Sequence, residues 1–211
     1  MLEYDFESHD EMIELSGVAG EMLSMTVEKI ANLYLKNDKA WVIGFSGGKD
    51  STVVLSLIFQ ALTTLKKEQL TKNVYVVCSD TLVETPVVVG LIRETLNDVQ
   101  NCAKKKGIPL VTQIVVPEVG ETFWSNLLGK GYPAPTKSFR WCTERMKINP
   151  VSDFIQSTVS KHGEVIVALG SRSQESASRA QSIAKHAIKG SELARHSSLP
   201  NAFTYMPIEN W

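Results

Sequence analysis

A chain of 211 residues that is 43% hydrophobic, with a net charge of −1 and a mean hydropathy of −0.06, carries enough apolar mass for one globular domain with a full core. No apolar run approaches the ~20 residues of a membrane span, the opening Met1 to Glu7 is acidic rather than a basic leader, and three widely spaced cysteines make no disulfide framework. Membrane proteins and disulfide-stapled secreted domains are thereby excluded, and the cytoplasm is the expected compartment.

The elements follow in chain order. Met22, Met25, Ile30 and Leu33 recur at helical spacing, which predicts an amphipathic helix over 21–36 with these side chains in the core. Residues 1–40 read as an acidic helical segment packed on a domain formed by 41–211. Trp41 to Phe45 is a first apolar strand, and a helix from about Ser51 to Lys67 presents Val54, Leu55, Ile58 and Leu62 on one face. Val74 to Cys78 is a second strand. Pro86 opens a helix that reaches Lys106 and stops at Gly107, and Leu110 to Val116 is a third strand. Residues 121–128 look helical, 129–135 form a Gly/Pro-rich loop, 149–161 form a further helix and Val165 to Leu169 a fourth strand. The last forty residues show no clear pattern. Strands alternating with helices predict an α/β fold, a mainly parallel sheet flanked by helices on both faces. The segments 46–51, 79–85 and 170–179, each just past a strand, should meet in one crevice.

Ser46, Gly47, Gly48, Lys49, Asp50 and Ser51 stand between the first strand and its helix. Glycines let the backbone approach an anion, and a helix start supplies free N–H groups and a positive dipole end. Lys49 adds a charge and the two serines add hydroxyls. Asp50 would repel phosphate unless a cation lies between them, which points to a Mg²⁺-nucleotide. The pattern is not the common Gly-x4-Gly-Lys-Ser/Thr loop, because Ile43 occupies its first glycine position and Asp50 its Mg²⁺-binding hydroxyl.

Asp80, just past the second strand, either meets the nucleoside or a metal, or caps the next turn. Gly170 and Arg172 follow the fourth strand. There Arg172 is placed to meet phosphate with its fork, or else it joins Glu175 and Arg179 in a salt-bridged helix start. Lys137, Arg140, Arg145 and Lys147 surround Cys142, which would favour a thiolate. Cys142 is then a sulfur carrier, a nucleophile or a cluster ligand. The same cations, with Arg179 further on, could instead hold phosphodiester, with Phe139 or Trp141 stacking on a base. Residues 129–211 carry a net +5 against −7 over residues 1–35, so a polyanion belongs to the C-terminal third. Cys78 and Cys102 read as small core hydrophobes, and His9, His162, His186 and His196 as surface residues.

These segments together resemble the PP-loop proteins of the phosphoadenosine-phosphosulfate reductase superfamily. More narrowly, the chain is similar to the DndC-type sulfurtransferases of bacterial DNA phosphorothioation. The resemblance is carried by residues 41–52, 79–87, 122–135, 139–150 and 169–180, by Ser197 to Asn201 and by Pro207 to Trp211. It implies a HUP-type fold and cleavage of ATP to AMP and pyrophosphate, with the loop holding the phosphates, Asp50 near Mg²⁺, Asp80 near the nucleoside and Arg172 on phosphate. It also implies DNA, a cysteine desulfurase as sulfur donor and other phosphorothioation proteins as partners, with Cys142 as the thiol-bearing residue. An iron–sulfur cluster with Cys142 as one ligand is associated with such proteins but cannot be completed from this chain, since no cysteine follows Cys142. The family pattern continues past the position of Trp211, so the chain reads as truncated at its C-terminus. The alternatives are a sulfonucleotide reductase-like enzyme, an RNA-thiolating enzyme and a nucleotide-binding regulatory module without turnover.

Overall fold

Consecutive apolar residues in β1 (Ala40–Gly44), β2 (Val74–Ser79) and β4 (Val165–Ala168) fit strands that are covered on both faces. The computed structural model describes residues 18–211, and the acidic segment expected before them lies outside the described residues. With β3 (Leu110–Val115), β5 (Leu193–Arg195) and β6 (Ala202–Tyr205) the strands form one six-stranded sheet in the order β3-β2-β1-β4-β6-β5. Every pairing is parallel except that of β5 with β6.

Alternation along each strand divides the core. Trp41 and Ile43 of β1, with Val74, Val76 and Cys78 of β2, pack under the helices α1 (Val18–Leu35), α2 (Lys49–Thr63) and α3 (Pro86–Lys106). Ala40, Val42 and Val77 face the other way, onto Ile155 and its neighbours in α5 (Asn149–His162). The mainly parallel sheet with helices on both faces is therefore present. No helix among the described residues is long and apolar enough to cross a membrane.

Several expected boundaries shift. In α1, Ile30 and Leu33 are buried as expected, but Met22 and Met25 are 40% and 57% exposed and are not core residues. The α2 helix begins at Lys49, so Lys49 and Asp50 lie in its first turn with Gly48 as the N-cap. It ends at Thr63 rather than Lys67, where the Thr63 and Thr64 hydroxyls donate to the carbonyls of Gln60 and Ala61 at 2.7 Å. The α3 helix runs as expected, closed by Gly107 at φ 70°. The helix expected over 121–128 is instead a 3-10 turn, Val119–Glu121, and a π-helical turn, Ser125–Gly129. Hydroxyl bonds of Thr122 and Ser125 to the Val119 carbonyl, at 3.2 and 2.6 Å, interrupt it. Downstream, α4 (Trp141–Thr143) passes through a π-helical turn (Glu144–Ile148) into α5. The illegible tail supplies α6 (Ala177–His186) and the last two strands.

Candidate functional site

The strand order reverses between β1 and β4, and in such sheets a crevice opens at the carboxyl ends of the two strands flanking that point. The loop after β1 stands there. Gly47 takes φ 73°, a left-handed conformation, and a Cβ there would also lie 3.1 Å from Ile92. Ser51 shapes the loop from inside. Its hydroxyl donates to the Gly48 carbonyl at 2.8 Å, accepts the Ser46 N–H at 3.2 Å and lies 3.1 Å from the Ser46 hydroxyl. Among the described residues, the amides of Gly47, Gly48, Lys49, Asp50 and Ser51 have no acceptor. Five free N–H groups at a helix start, beside the exposed Lys49, form a cradle for an anion.

The segment after β4 closes against this cradle. A Cβ on Gly170 would lie 2.8 Å from the carbonyl carbon and oxygen of Asp50 and 2.9 Å from the Ser51 nitrogen. Only a glycine permits that approach. Two residues on, Arg172 reaches Asp50 with 3.5 Å between guanidinium and carboxylate, while its Nε is buried and has no partner among the described residues. A half-buried guanidinium with a spare donor, beside free amides, suits a polyphosphate. Asp50 supplies one half-exposed carboxylate, which fits a Mg²⁺ that takes its other ligands from phosphate oxygens and water. Bound there, Mg²⁺ would offset phosphate charge.

Asp80, past β2, accepts the Leu82 N–H at 2.9 Å and lies 3.6 Å from Arg93 of α3. It thus braces the turn, with Leu82 at φ 61°. Beyond β3, residues 119–148 form an insert tied to the sheet by the Ser79 hydroxyl, which donates to the Met146 carbonyl at 2.7 Å. Inside it Glu121 binds both Lys130, at 2.7 Å, and Arg145, and Arg145 also reaches the Tyr132 hydroxyl at 2.9 Å. These two cations hold the Glu121 carboxyl below its ordinary range, Lys130 contributing first.

Sequence proximity overstated the positive field around Cys142. Arg145 turns to Glu121, and Lys147 lies 3.5 Å from Glu84. Of the four flanking cations, Lys137 and Arg140 remain exposed without an ion-pair partner among the described residues. Trp141 is buried, so it is not a ring onto which a base can stack. Arg179 is held by Glu175 despite the break between the 3-10 turn (Ser173–Glu175) and α6, and Arg172 goes to Asp50 rather than Glu175. Cys142 is half-buried, whereas Cys78 and Cys102 are buried as expected. Burial, then the nearby Asp80, pushes the Cys78 thiol up to about 11.

His162 is exposed and contacts the Tyr75 hydroxyl at 3.1 Å, and His9 lies outside the described residues. His196 is half-buried rather than a surface residue, its Nδ1 facing the Leu199 amide at 3.2 Å, and burial lowers its pKa. Among the described residues no three His, Cys, Asp or Glu side chains gather to hold a metal. An iron–sulfur cluster therefore does not fit these residues by themselves. Arg93, Glu121, Tyr132 and Ser79 gave no sequence signal. Their partners lie far away in the chain, and only the fold joins them.

Residues 40–211 match the phosphoadenosine phosphosulfate reductase domain, and the chain belongs to that family. An uncharacterized protein of Methanocaldococcus jannaschii is 30% identical over 206 residues, which is 97% of this chain and 36% of that protein. A second from the same organism is 31% identical over 135 residues, 64% of this chain and 26% of its own length. Among solved structures, the phosphoadenylyl-sulfate (PAPS) reductase from Candida auris in its phosphate complex has 14% identity and a TM-score of 0.49, covering 92% of this chain and 82% of its own.

Proposed function

We propose that the chain is the nucleotide-binding domain of an ATP pyrophosphatase that activates a DNA backbone phosphate for sulfur incorporation. The observation that carries this reading is the helix start at Gly47 to Ser51, whose five amides have no acceptor among the described residues, with Gly170 packed on the Asp50 backbone and Arg172 on the Asp50 carboxylate. In this account the amides and Lys49 hold the pyrophosphate end of ATP, and Arg172 follows the charge that shifts toward the leaving group. Asp50 orients Arg172 and is the carboxylate of the loop that could hold Mg²⁺. A non-bridging oxygen of the acceptor phosphate attacks the α-phosphorus, the α–β bond breaks and pyrophosphate leaves. The outer sulfur of a persulfide supplied by a cysteine desulfurase then attacks the activated DNA phosphorus, the P–O bond to AMP breaks, and a second thiol reduces the remaining S–S bond, leaving a disulfide and the phosphorothioate. Cys142, the half-buried thiol, is the residue of this chain suited to receive sulfur.

Family membership favours a second reading equally, a sulfonucleotide reductase whose loop holds the phosphosulfate end of its substrate. Incubation of α-labelled ATP with Mg²⁺, with and without DNA, separates the two. The first reading predicts AMP plus pyrophosphate and stimulation by DNA. ADP plus phosphate, or turnover of 3′-phosphoadenylyl sulfate with inert ATP, would remove it.

A further inference from the structure

Two aromatic rings of the 119–148 insert stand out of its packing. Phe123 stacks on Trp141 at 5.5 Å and 24°, Tyr132 meets Trp141 edge-on at 5.7 Å, and the Trp141 indole N–H donates to the Pro133 carbonyl at 3.0 Å. This ring cluster is a firm base. At its edge Trp124, perpendicular to Phe123 at 5.2 Å, is 59% exposed. Phe139, 45% exposed, sits on a tight turn in which Thr136 and Phe139 exchange both backbone hydrogen bonds, at 3.1 and 3.2 Å. The Thr136 hydroxyl accepts a further bond from the Phe139 N–H at 3.1 Å. The turn thereby fixes Lys137, Phe139 and Arg140 outward, next in the chain to Trp141 and Cys142. Lys130 and Arg145 are both turned onto Glu121, and Lys147 faces Glu84. Lys137 and Arg140 have no such partner among the described residues.

We propose that this insert is a docking platform for an unpaired DNA strand, whose bases stack on Phe139 and Trp124 while Lys137 and Arg140 meet its phosphates. Exposed rings next to unneutralised cations match a strand that offers both π-faces and negative charge. In a duplex the base faces are already stacked on one another and could not reach the rings. Trp141 alone separates Arg140 from Cys142 in the chain, so a strand on the turn lies beside the thiol. The proposal rests on the reading of a DNA acceptor given above and names which form of it binds and where.

The test is fluorescence anisotropy of labelled oligo(dT), oligo(U) and a DNA duplex of the same length at two salt concentrations, with ATP binding followed in parallel by calorimetry. Oligo(dT) should bind more tightly than duplex, and Phe139→Ala and Trp124→Ala should each weaken it roughly 5- to 150-fold. The Lys137→Ala/Arg140→Ala pair should reduce the salt dependence by about 1.4 log units per log unit. Trp124 and Phe139 each keep part of their surface covered, so the melting midpoint should fall only modestly and the variants should stay folded at the assay temperature. Equal binding of duplex, or binding indifferent to all these variants, would overturn the platform, and so would no binding at all. Tighter binding of oligo(U) than of oligo(dT) would likewise overturn a DNA strand as the occupant. Absent ATP binding in the unaltered protein would instead defeat the reading of the loop, a result judged separately from the oligonucleotide data.

Discussion

Gly170 packs so closely on Asp50 that a methyl group there would lie 2.8 Å from the Asp50 carbonyl. Atoms of the backbone, rather than a flexible side chain, occupy that space, so the strain has no cheap outlet. Gly170→Ala should cost about 1–3 kcal/mol, the usual range for overpacking, and weaken ATP binding because the cradle must shift. Gly90, within α3, has nothing within 4 Å of its Cβ position. Gly90→Ala should therefore stabilise by about 0.5–1 kcal/mol through helix propensity and unfolded-state entropy. Urea midpoints of the two variants should move in opposite directions, and equal shifts would show that the close approach is not a constraint.

Arg172 is held by Asp50 on one side and leaves its Nε unpartnered on the other. Lysine keeps the charge but loses the fork. Arg172→Lys should weaken ATP roughly 10- to 100-fold, corresponding to about 1.5–3 kcal/mol for a hydrogen bond to a charged group. Unchanged affinity by calorimetry would detach Arg172 from the phosphate site.

The three thiols should separate by reactivity. With its thiol near 11, Cys78 stays protonated at pH 8, and burial shields both Cys78 and Cys102. Alkylation at pH 8 should modify one fast thiol, lost in Cys142→Ser. The raised Cys78 thiol also has a consequence for stability. Its contribution is complete below its ordinary value of 9.0 and fades as pH rises toward about 11. Cys78→Ala should flatten the alkaline limb of the stability profile, and an unchanged limb would assign that loss elsewhere.

Glu121 is the clamp that joins the start of the insert to the π-helical turn beyond Cys142. Glu121→Gln removes the charge that Lys130 and Arg145 share. Alkylation of Cys142 should accelerate as the insert loosens, while the melting midpoint changes little. In the unaltered protein the clamp is present above the ordinary carboxylate range and weakens as pH falls through the depressed Glu121 value, so acid should accelerate local opening in the same way. A Cys142 rate that Glu121→Gln leaves untouched would show that the clamp does not hold the thiol in place.

What the sequence discloses follows from the range of the interactions involved. The sheet and the loop are local: Trp41 to Phe45 reads as a strand, Ser46 to Ser51 as a phosphate turn, and Pro86 and Gly107 bracket α3 by their backbone chemistry. The environment of Cys142 is not local. Neighbouring cations suggested a positive field, but Arg145 reaches back 24 residues to Glu121 and Lys147 turns to Glu84. Trp141, adjacent to the thiol and apparently free, is instead buried under Phe123. The last strands were illegible because β5 and β6 are short, three and four residues, and take their definition from pairing.

In this reading the loop of Gly47 to Ser51 holds the phosphates beyond the first. Calorimetric titration of ATP and AMP into the protein with Mg²⁺, repeated with Lys49→Ala, tests it most directly. ATP should bind much more tightly than AMP, and Lys49→Ala should remove most of the difference. AMP binding as tight as ATP, with Lys49→Ala indifferent to both, would contradict it.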